Sequence, residues 1–250
     1  MGFFYPAGRS GVTVNGTDLS AYSCKLQSAC GFGACQVDSE TFQGKNRSTL
    51  LLLDQTFGPL EITLPLEFWG SSRRDTADKW TAFCQALTGR VELDPGDGYV
   101  YACVASDLGT PAWITDQWLQ ADVTLRGFRQ RPEVTVSAET DIGALIYCQS
   151  TFPRTDCVIT LPPTILTGAS MVSVRLGDNQ WLLRRNFTGA HTLVLDGVYK
   201  RFLLSGENVT GEMEWEDFPY LVPGENPIGV FIDSVGVTRG VELKYRPTFL

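Results

Sequence analysis

The chain has 250 residues and a net charge of −8, with a pI near 4.7. Hydrophobic residues make up 43% of it and charged residues 19%, a globular composition that excludes a disordered chain. The acidic balance argues against specific nucleic-acid binding, which needs a basic face, and no apolar run approaches the roughly 20 residues of a membrane-spanning helix.

Strands are predicted before the first helical pattern. The segment 11–16 ends in an Asn-Gly pair, which is a hairpin turn signal. The apolar run 50–53 is compatible with a strand buried on both faces. Apolar and polar residues alternate over 61–69, which predicts a half-buried strand. Pro65 inside this strand predicts an edge position or a bulge, because proline lacks a ladder donor.

One helix is predicted at about 75–88. Ser72 or Asp75 can cap its start, and Gly89 can end it. The apolar side chains that recur at helical spacing are Trp80, Phe83, Cys84 and Leu87. Such a stripe is typical of a helix that packs on a sheet, so we interpret it as core.

The next segments predict further strands and a domain boundary. The turn cluster 94–98 joins two apolar runs as a hairpin, and 119–126 alternates as another half-buried strand. The charged, proline-containing segment 129–133 then predicts a boundary between a domain at 1–131 and a second domain at 132–250.

The second domain shows no helical period. Its short apolar runs are separated by turn residues, and they lie at 145–148, 158–161, 171–176, 181–183, 193–195, 198–204, 228–232 and 241–245. Asp196-Gly197 predicts a hairpin between two of them. Many short strands at regular spacing predict a β-sandwich or barrel.

Metal and redox chemistry find little support in the sequence. The seven cysteines are an odd number, and none has C-x-x-C spacing. Cys84, Cys103 and Cys148 fall within apolar runs, so we expect buried, reduced thiols, while a disulfide among the first three cysteines stays open. The single histidine, His191, has no ligand partner at a suitable spacing. We therefore predict no metal site, no cofactor and no catalytic residue.

The acidic cluster around Trp215 is the strongest catalytic candidate. Glu214 and Asp217 are the pair that a glycosidase mechanism would need, but alternating acids more often form a solvated face. A sugar-binding role requires less than catalysis, because exposed aromatic rings can stack on sugars without catalytic carboxylates. The speculative sugar-stacking candidates are Trp181, Trp215 and Tyr220.

Several stretches also form a pattern when they are taken in order. The segment 12–20 has a strand, a turn and a D-L-S ending, and 44–50 precedes the alternating strand at 61–69. Later, 217–228 has the pattern P-x-L-x-P-G-x-N-x-I, and 241–250 forms a closing strand. Together with the helix, these stretches resemble the distal tail protein family of long-tailed, siphovirus-type bacteriophages.

The resemblance implies a mainly β fold with two domains. The first would be a small β fold, a split barrel or sandwich with one helix, that forms a ring. The second would be a galectin-like β-sandwich. The resemblance also implies a structural, non-enzymatic virion protein at the tail tip, or baseplate, assembled in the host bacterial cytoplasm.

The same resemblance implies a set of partners. The chain would form a homo-hexameric ring that connects the tail tube protein to a tail-tip or tail-associated lysin protein, with receptor-binding protein held outside. DNA would pass through the lumen without specific binding. The alternatives are a carbohydrate-binding β-sandwich module for attachment to the host surface, another tail-tube-like ring protein, and a tail-associated hydrolase that uses Glu214 and Asp217.

Overall fold

The computed structural model describes residues 4–5, 11–27, 30–31, 35–43, 50–139, 144–233 and 240–250. The chain is mainly β, which confirms the predicted fold class. It divides into two compact units: the first unit is Met1–Arg131 with Leu250, and the second unit is Pro132–Phe249. In the described residues, no helix has the length and hydrophobicity of a membrane span.

The first unit contains eleven described strands and one α-helix, with a 3-10 helix at Leu19–Tyr22. They are β1 (Phe4–Tyr5), β2 (Thr13–Val14), β3 (Thr17–Asp18), β4 (Cys24–Leu26), β5 (Cys30–Gly31), β6 (Cys35–Gln43), β7 (Leu50–Trp69), α1 (Arg73–Ala86), β8 (Arg90–Asp94), β9 (Val100–Asp107), β10 (Ala112–Thr115) and β11 (Trp118–Gln130). The main sheet has the order β3-β2-β8-β9-β11-β7-β4, while β6 pairs with β7 and β10 pairs with β11. All of these pairings are antiparallel.

Among the described strands, only β11 pairs with β7 at Pro65, because β4 pairs with β7 at 66–68; the position is therefore a local edge, as one of the two predicted alternatives has it, and there is no bulge. β7 runs between β11 and β4, and its register with β11 is unbroken at Pro65. The Pro65 carbonyl accepts from the backbone N–H of Gln27, 2.8 Å away. In a ladder, the N–H and C=O of one residue point to the same side. The missing donor therefore faces the point where β4 has already ended.

Helix α1 packs on the core side of the sheet. Ser72 caps it, its side chain accepting from the N–H of Asp75. Phe83 is fully buried, and Trp80 packs edge-on against Phe68 with ring centroids 5.2 Å apart. The helix ends at Ala86, before the predicted limit of 88. The aromatic stripe of the sequence is therefore core.

The second unit contains thirteen described strands and a one-turn helix, with a 3-10 helix at Thr210–Glu212. They are β12 (Val134–Glu139), β13 (Ala144–Cys148), β14 (Thr155–Leu161), α2 (Pro163–Leu166), β15 (Met171–Leu176), β16 (Asn179–Arg184), β17 (Leu193–Asp196), β18 (Arg201–Leu204), β19 (Glu207–Asn208), β20 (Met213–Trp215), β21 (Tyr220–Leu221), β22 (Gly224–Ile232), β23 (Gly240–Tyr245) and β24 (Thr248–Phe249). The sequence pattern did not predict α2, which has proline in its first turn.

Apart from β24, the strands of the second unit form two sheets with one shared core. One sheet has the order β12-β23-β14-β17-β18-β19, with β21 on β14, and the other has the order β13-β22-β15-β16-β20. Inward side chains of both sheets, such as Leu195 and Val174, belong to one buried cluster. The predicted Asp196-Gly197 hairpin is present between β17 and β18. Its β18 strand starts only at Arg201, because the Asp196 carboxylate accepts from the N–H groups of Val198 and Tyr199 and holds the turn.

The thiols agree with the prediction of reduced cysteine. Within the part of the chain whose side chains the structure describes, the free cysteines are Cys24, Cys35, Cys84, Cys103, Cys148 and Cys157. Cys103 and Cys148 are buried as expected, while Cys84 is only half-buried. Burial raises the pKa of the Cys103 thiol to about 12, which leaves it protonated and unreactive at neutral pH.

Candidate functional site

A two-stranded ribbon extends beyond the sheet of the first unit. It consists of β6 and residues 50–59 of β7, and we call it the arm. β11 pairs with β7 only from Leu60 onward, and β4 pairs with it only from Leu66. In the described residues, β6 is therefore the sole strand partner of 50–59.

The arm is exposed on both of its faces. Val37, Phe42, Leu52 and Leu53 are between 53% and 59% exposed, whereas the core begins at Leu60. A two-stranded ribbon is at best marginally stable in water on its own. Contiguous exposed apolar residues mark interaction surfaces. The arm thus has the character of an element that a partner covers.

This exposure corrects one sequence prediction. The apolar run 50–53 was compatible with a strand buried on both faces, but Leu52 and Leu53 are among the most exposed leucines of the described chain. In the described parts of the chain, no second layer covers Leu52 and Leu53. Leu52 and Leu53 are therefore apolar residues that the described part of the chain leaves exposed.

The two faces of the arm differ in charge. The pairs Val37–Phe57, Ser39–Gln55 and Thr41–Leu52 share one face and carry no charge, so we call it the uncharged face. Asp38, Glu40 and Asp54 lie on the other, acidic face. Glu40 and Asp54 are direct cross-strand partners, and like charges in that position repel. The arm residues that the structure describes include no lysine or arginine.

A second exposed aromatic surface lies at the opposite end of β7. Trp69 and Trp118 are cross-strand neighbours in the β7–β11 ladder. The carboxylate of Glu67 lies beside them, nearly buried: Lys25 Nζ is 2.7 Å from its Oε1, and Trp118 Nε1 donates to its Oε2 at 3.0 Å. The Lys25 ammonium also lies 5.7 Å from the Trp69 ring centroid.

Strand β10 and the start of α1 complete this surface. Ile114 lies at a register shift between Trp113 and Thr115, where β10 bulges away from β11. The Arg73 guanidinium lies 4.6 Å from the Trp113 ring centroid. Trp113 itself pairs with the buried Leu119 and packs against the core. We call the exposed surface formed by Trp69, Ile114 and Trp118 the Trp end.

The three proposed sugar-stacking residues have different surroundings. Trp181 is fully buried, and its Nε1 donates to the Asp217 backbone carbonyl at 2.7 Å, so it has no face for a ligand. Tyr220 is half-buried, with the Arg154 guanidinium 4.6 Å from its ring centroid. Trp215 keeps 37% of its surface exposed and packs on Phe218, with centroids 4.5 Å apart.

The acidic cluster around Trp215 is held in separate ion pairs. Each of three carboxylates has its own arginine: Arg185 with Glu212 at 3.3 Å, Arg184 with Glu214 at 3.2 Å and Arg154 with Asp217 at 3.1 Å. These side chains are largely solvent-exposed, which is the arrangement of a solvated face.

Neither His191 nor a cluster of metal-ligand side chains forms a second site in the described residues. His191 Nδ1 lies 3.2 Å from Ser205 Oγ. Among the described residues, no group of three or more histidine, cysteine or acidic side chains is placed to hold a metal ion.

Comparison with known proteins places the fold. No family model and no curated protein matches the sequence. The structure is similar to the Dit protein of phage SPP1, which is described as a paradigm of the hub adsorption apparatus of phages that infect Gram-positive bacteria. The TM-score is 0.69 and the sequence identity is 12%, and the match covers 97% of this chain and 100% of that chain. It is also similar to a chain of the phage P2 baseplate in its activated conformation with Ca, with a TM-score of 0.56 and 10% identity over 96% of this chain and 98% of that chain. At such low identity, these similarities establish a shared fold over almost the whole length.

Proposed function

We propose that this chain is a structural, non-enzymatic subunit of a bacteriophage tail tip, a distal tail hub that assembles into a ring of six copies. Two observations support it. The fold is shared, end to end, with a phage hub protein. The first unit also has an arm whose apolar side chains are left uncovered by its own chain.

The arm is the observation that carries the assembly role. A single copy gains little from holding a ribbon of exposed leucines, valine and phenylalanine in water. A neighbouring copy can cover this apolar surface, and it can also pair with the open strand edges. A closed set of such contacts gives a ring with a central hole.

The remaining parts of the proposal concern the ring in its virion. It would join the tail tube protein to a tail-tip or tail-associated lysin protein and hold receptor-binding protein outside. The net charge of −8 suits a lumen through which DNA slides, since an acidic wall does not bind phosphates. The galectin-like character of the second unit and assembly in the host cytoplasm stay predictions of the family resemblance.

The first test is the mass of the purified chain by multi-angle light scattering, with negative-stain images. We expect a closed ring of about six copies. The companion variant carries Leu52→Glu and Leu53→Glu, which place charge on the arm, and we expect it to be monomeric. Leu145→Glu, at an exposed leucine of the second unit, is the matched control and should assemble like the wild type. Wild-type protein that stays monomeric at every concentration contradicts the proposal.

Carbohydrate binding is a second candidate function, favoured by the partly exposed ring of Trp215. Binding of the full chain to a host-surface glycan array, lost in Trp215→Ala and kept in Tyr147→Ala, would support it. An absence of binding to every glycan on the array would contradict this second candidate function.

The copy number of the chain in the virion distinguishes a hub from a tail-tube protein, because a tube subunit is far more abundant.

A further inference from the structure

The large exposed apolar side chains of the first unit are concentrated at the two ends of β7. The arm carries four of them at one end. At the other end, Trp69, Ile114 and Trp118 are 42%, 49% and 38% exposed. In the described part of the first unit, the remaining ones are Val104, Leu108 and Leu250.

These two surfaces cannot cover each other within one chain. β7 has 20 residues, so at about 3.3 Å per residue it is roughly 65 Å long. The arm and the Trp end lie on opposite halves of this strand. A second copy can cover both surfaces, since the arm of one copy can pack on the Trp end of another. Such a contact joins two different surfaces, so it repeats from copy to copy and generates a ring when the rotation closes.

The Trp end has aromatic side chains and a paired carboxylate, which favour its burial in a protein interface. Tryptophan and arginine dominate the energetic centres of protein interfaces. A buried charge without a partner would oppose docking, but both oxygens of Glu67 are already engaged, one by Lys25 and one by Trp118. Covering the two tryptophans therefore leaves no carboxylate unpaired.

Strand β10 adds a backbone element to the same surface. It is a four-residue strand whose only partner among the described strands is β11. Its other edge therefore offers backbone groups to an added strand. Among the described strands, β6 likewise pairs only with β7. Strand addition between an arm and β10 would place apolar side chains against Ile114.

We propose that the Trp end is the docking site for the arm of a second copy of this chain, and that the uncharged face of the arm packs on Trp69 and Trp118. This assignment rests on the proposed function, because it names the surface that closes the ring. It selects the uncharged face because Val37, Thr41 and Leu52 lie there, whereas the opposite face has three carboxylates that would be costly to bury on aromatic rings.

The test compares two exposed side chains of the first unit. Ile114→Glu puts a charge at the Trp end, and Val104→Glu puts the same charge on β9, where the wild-type side chain is 51% exposed. We expect Ile114→Glu to weaken assembly by about tenfold or more and Val104→Glu to leave it unchanged, by light scattering over a concentration series. Circular dichroism and thermal melts confirm that both variants fold.

Photo-crosslinking identifies the contact directly. A benzoylphenylalanine at position 114 of the full chain should link to a peptide from 35–43 or 50–59 of another copy, identified by mass spectrometry. Rings that form normally with Ile114→Glu, or links that fall only on other segments, overturn the docking site while the hub proposal stands. If no ring forms in the wild type either, the proposed function itself fails.

Discussion

The arm and the second unit use the same kind of strand in opposite ways. Exposed and buried residues alternate along β22, because a second sheet covers one of its faces. In the arm, residues 36–42 of β6 are exposed on both faces, although valine and phenylalanine occur there as well. An apolar residue in a strand is therefore buried only where the fold supplies a second layer. Where it does not, the strand is available to another molecule.

The largest expected effect is a difference in the free energy of unfolding when a phenylalanine is truncated in each of the two regions. Phe202 is fully buried in the second unit, where it contacts Trp215 and Phe218, whereas Phe42 of the arm is 55% exposed. We expect Phe202→Ala to lower the free energy of unfolding by about 3–5 kcal/mol, through lost burial and a cavity. Phe42→Ala should change the free energy of unfolding by less than about 0.5 kcal/mol, because its side chain already contacts solvent. Urea unfolding of both variants checks this, and equal destabilisation would contradict the contrast.

A smaller effect is expected at Asn226, whose side chain closes the turn before β22. Asn226 is buried; its Oδ1 accepts from the N–H of Val222, and its Nδ2 donates to the carbonyls of Val222 and Gly224. Asn226→Ala should cost about 1–3 kcal/mol in urea unfolding, because buried backbone groups lose their partners. Assembly of folded protein should be unaffected, since the turn belongs to the second unit. Loss of rings at full stability would show that this turn has an assembly role.

A still smaller effect is expected for the pH dependence of the melting temperature, through Asp75 in the first unit. Hydrogen bonds from Ser71 and Lys79 hold the pKa of Asp75 below its ordinary value of 3.8. Because the folded pKa is lowered, the carboxylate stabilises the fold above pH 3.8, and this contribution is lost as the pH falls through the folded value. Asp75→Asn should therefore lower the melting temperature at pH 7 and converge with the wild type in strong acid. Asp78→Asn, at the next helical acid, is the control; a constant difference at all pH values would contradict this account.

The smallest effect concerns the acidic face of the arm. Glu40 and Asp54 oppose each other directly, so Glu40→Gln should stabilise the ribbon by about 0.2–1 kcal/mol at low ionic strength. Hydrogen exchange of the arm amides should slow by roughly 1.4- to 5-fold at low salt, and the difference should shrink in high salt. Glu92→Gln, outside the arm, should leave these amides unchanged. An arm that exchanges faster in Glu40→Gln would mean that the carboxylate has a stabilising partner.

Much of the architecture was predictable because it depends on local patterns. The alternation at 61–69, the helical stripe from Trp80 to Leu87 and the Asp196-Gly197 turn each predict one element, and each element is present. The late P-G-x-N-x-I pattern was noted only as a resemblance. Its physical role emerged from the fold, in which Asn226 binds the backbone of the turn that precedes it.

Local sequence patterns could not predict the exposure of the sugar-stacking candidates or of the arm. Nothing adjacent in sequence distinguishes Trp181, which is fully buried, from Trp215, which keeps an exposed face at the edge strand β20. The leucine run at 50–53 would suit a buried strand equally well. The exposure of Leu52 and Leu53 depends on which strands reach them, because β11 and β4 pair with β7 only further along the strand.

By itself, the sequence determined the mainly β class, the position of the helix, the turn at Asp196-Gly197 and the acidic charge, because these follow from residue type and spacing over a few positions. Only the tertiary structure decided which apolar residues are covered. Burial depends on strands that are distant in sequence, so the uncovered arm and the Trp end became visible only once the sheet was assembled.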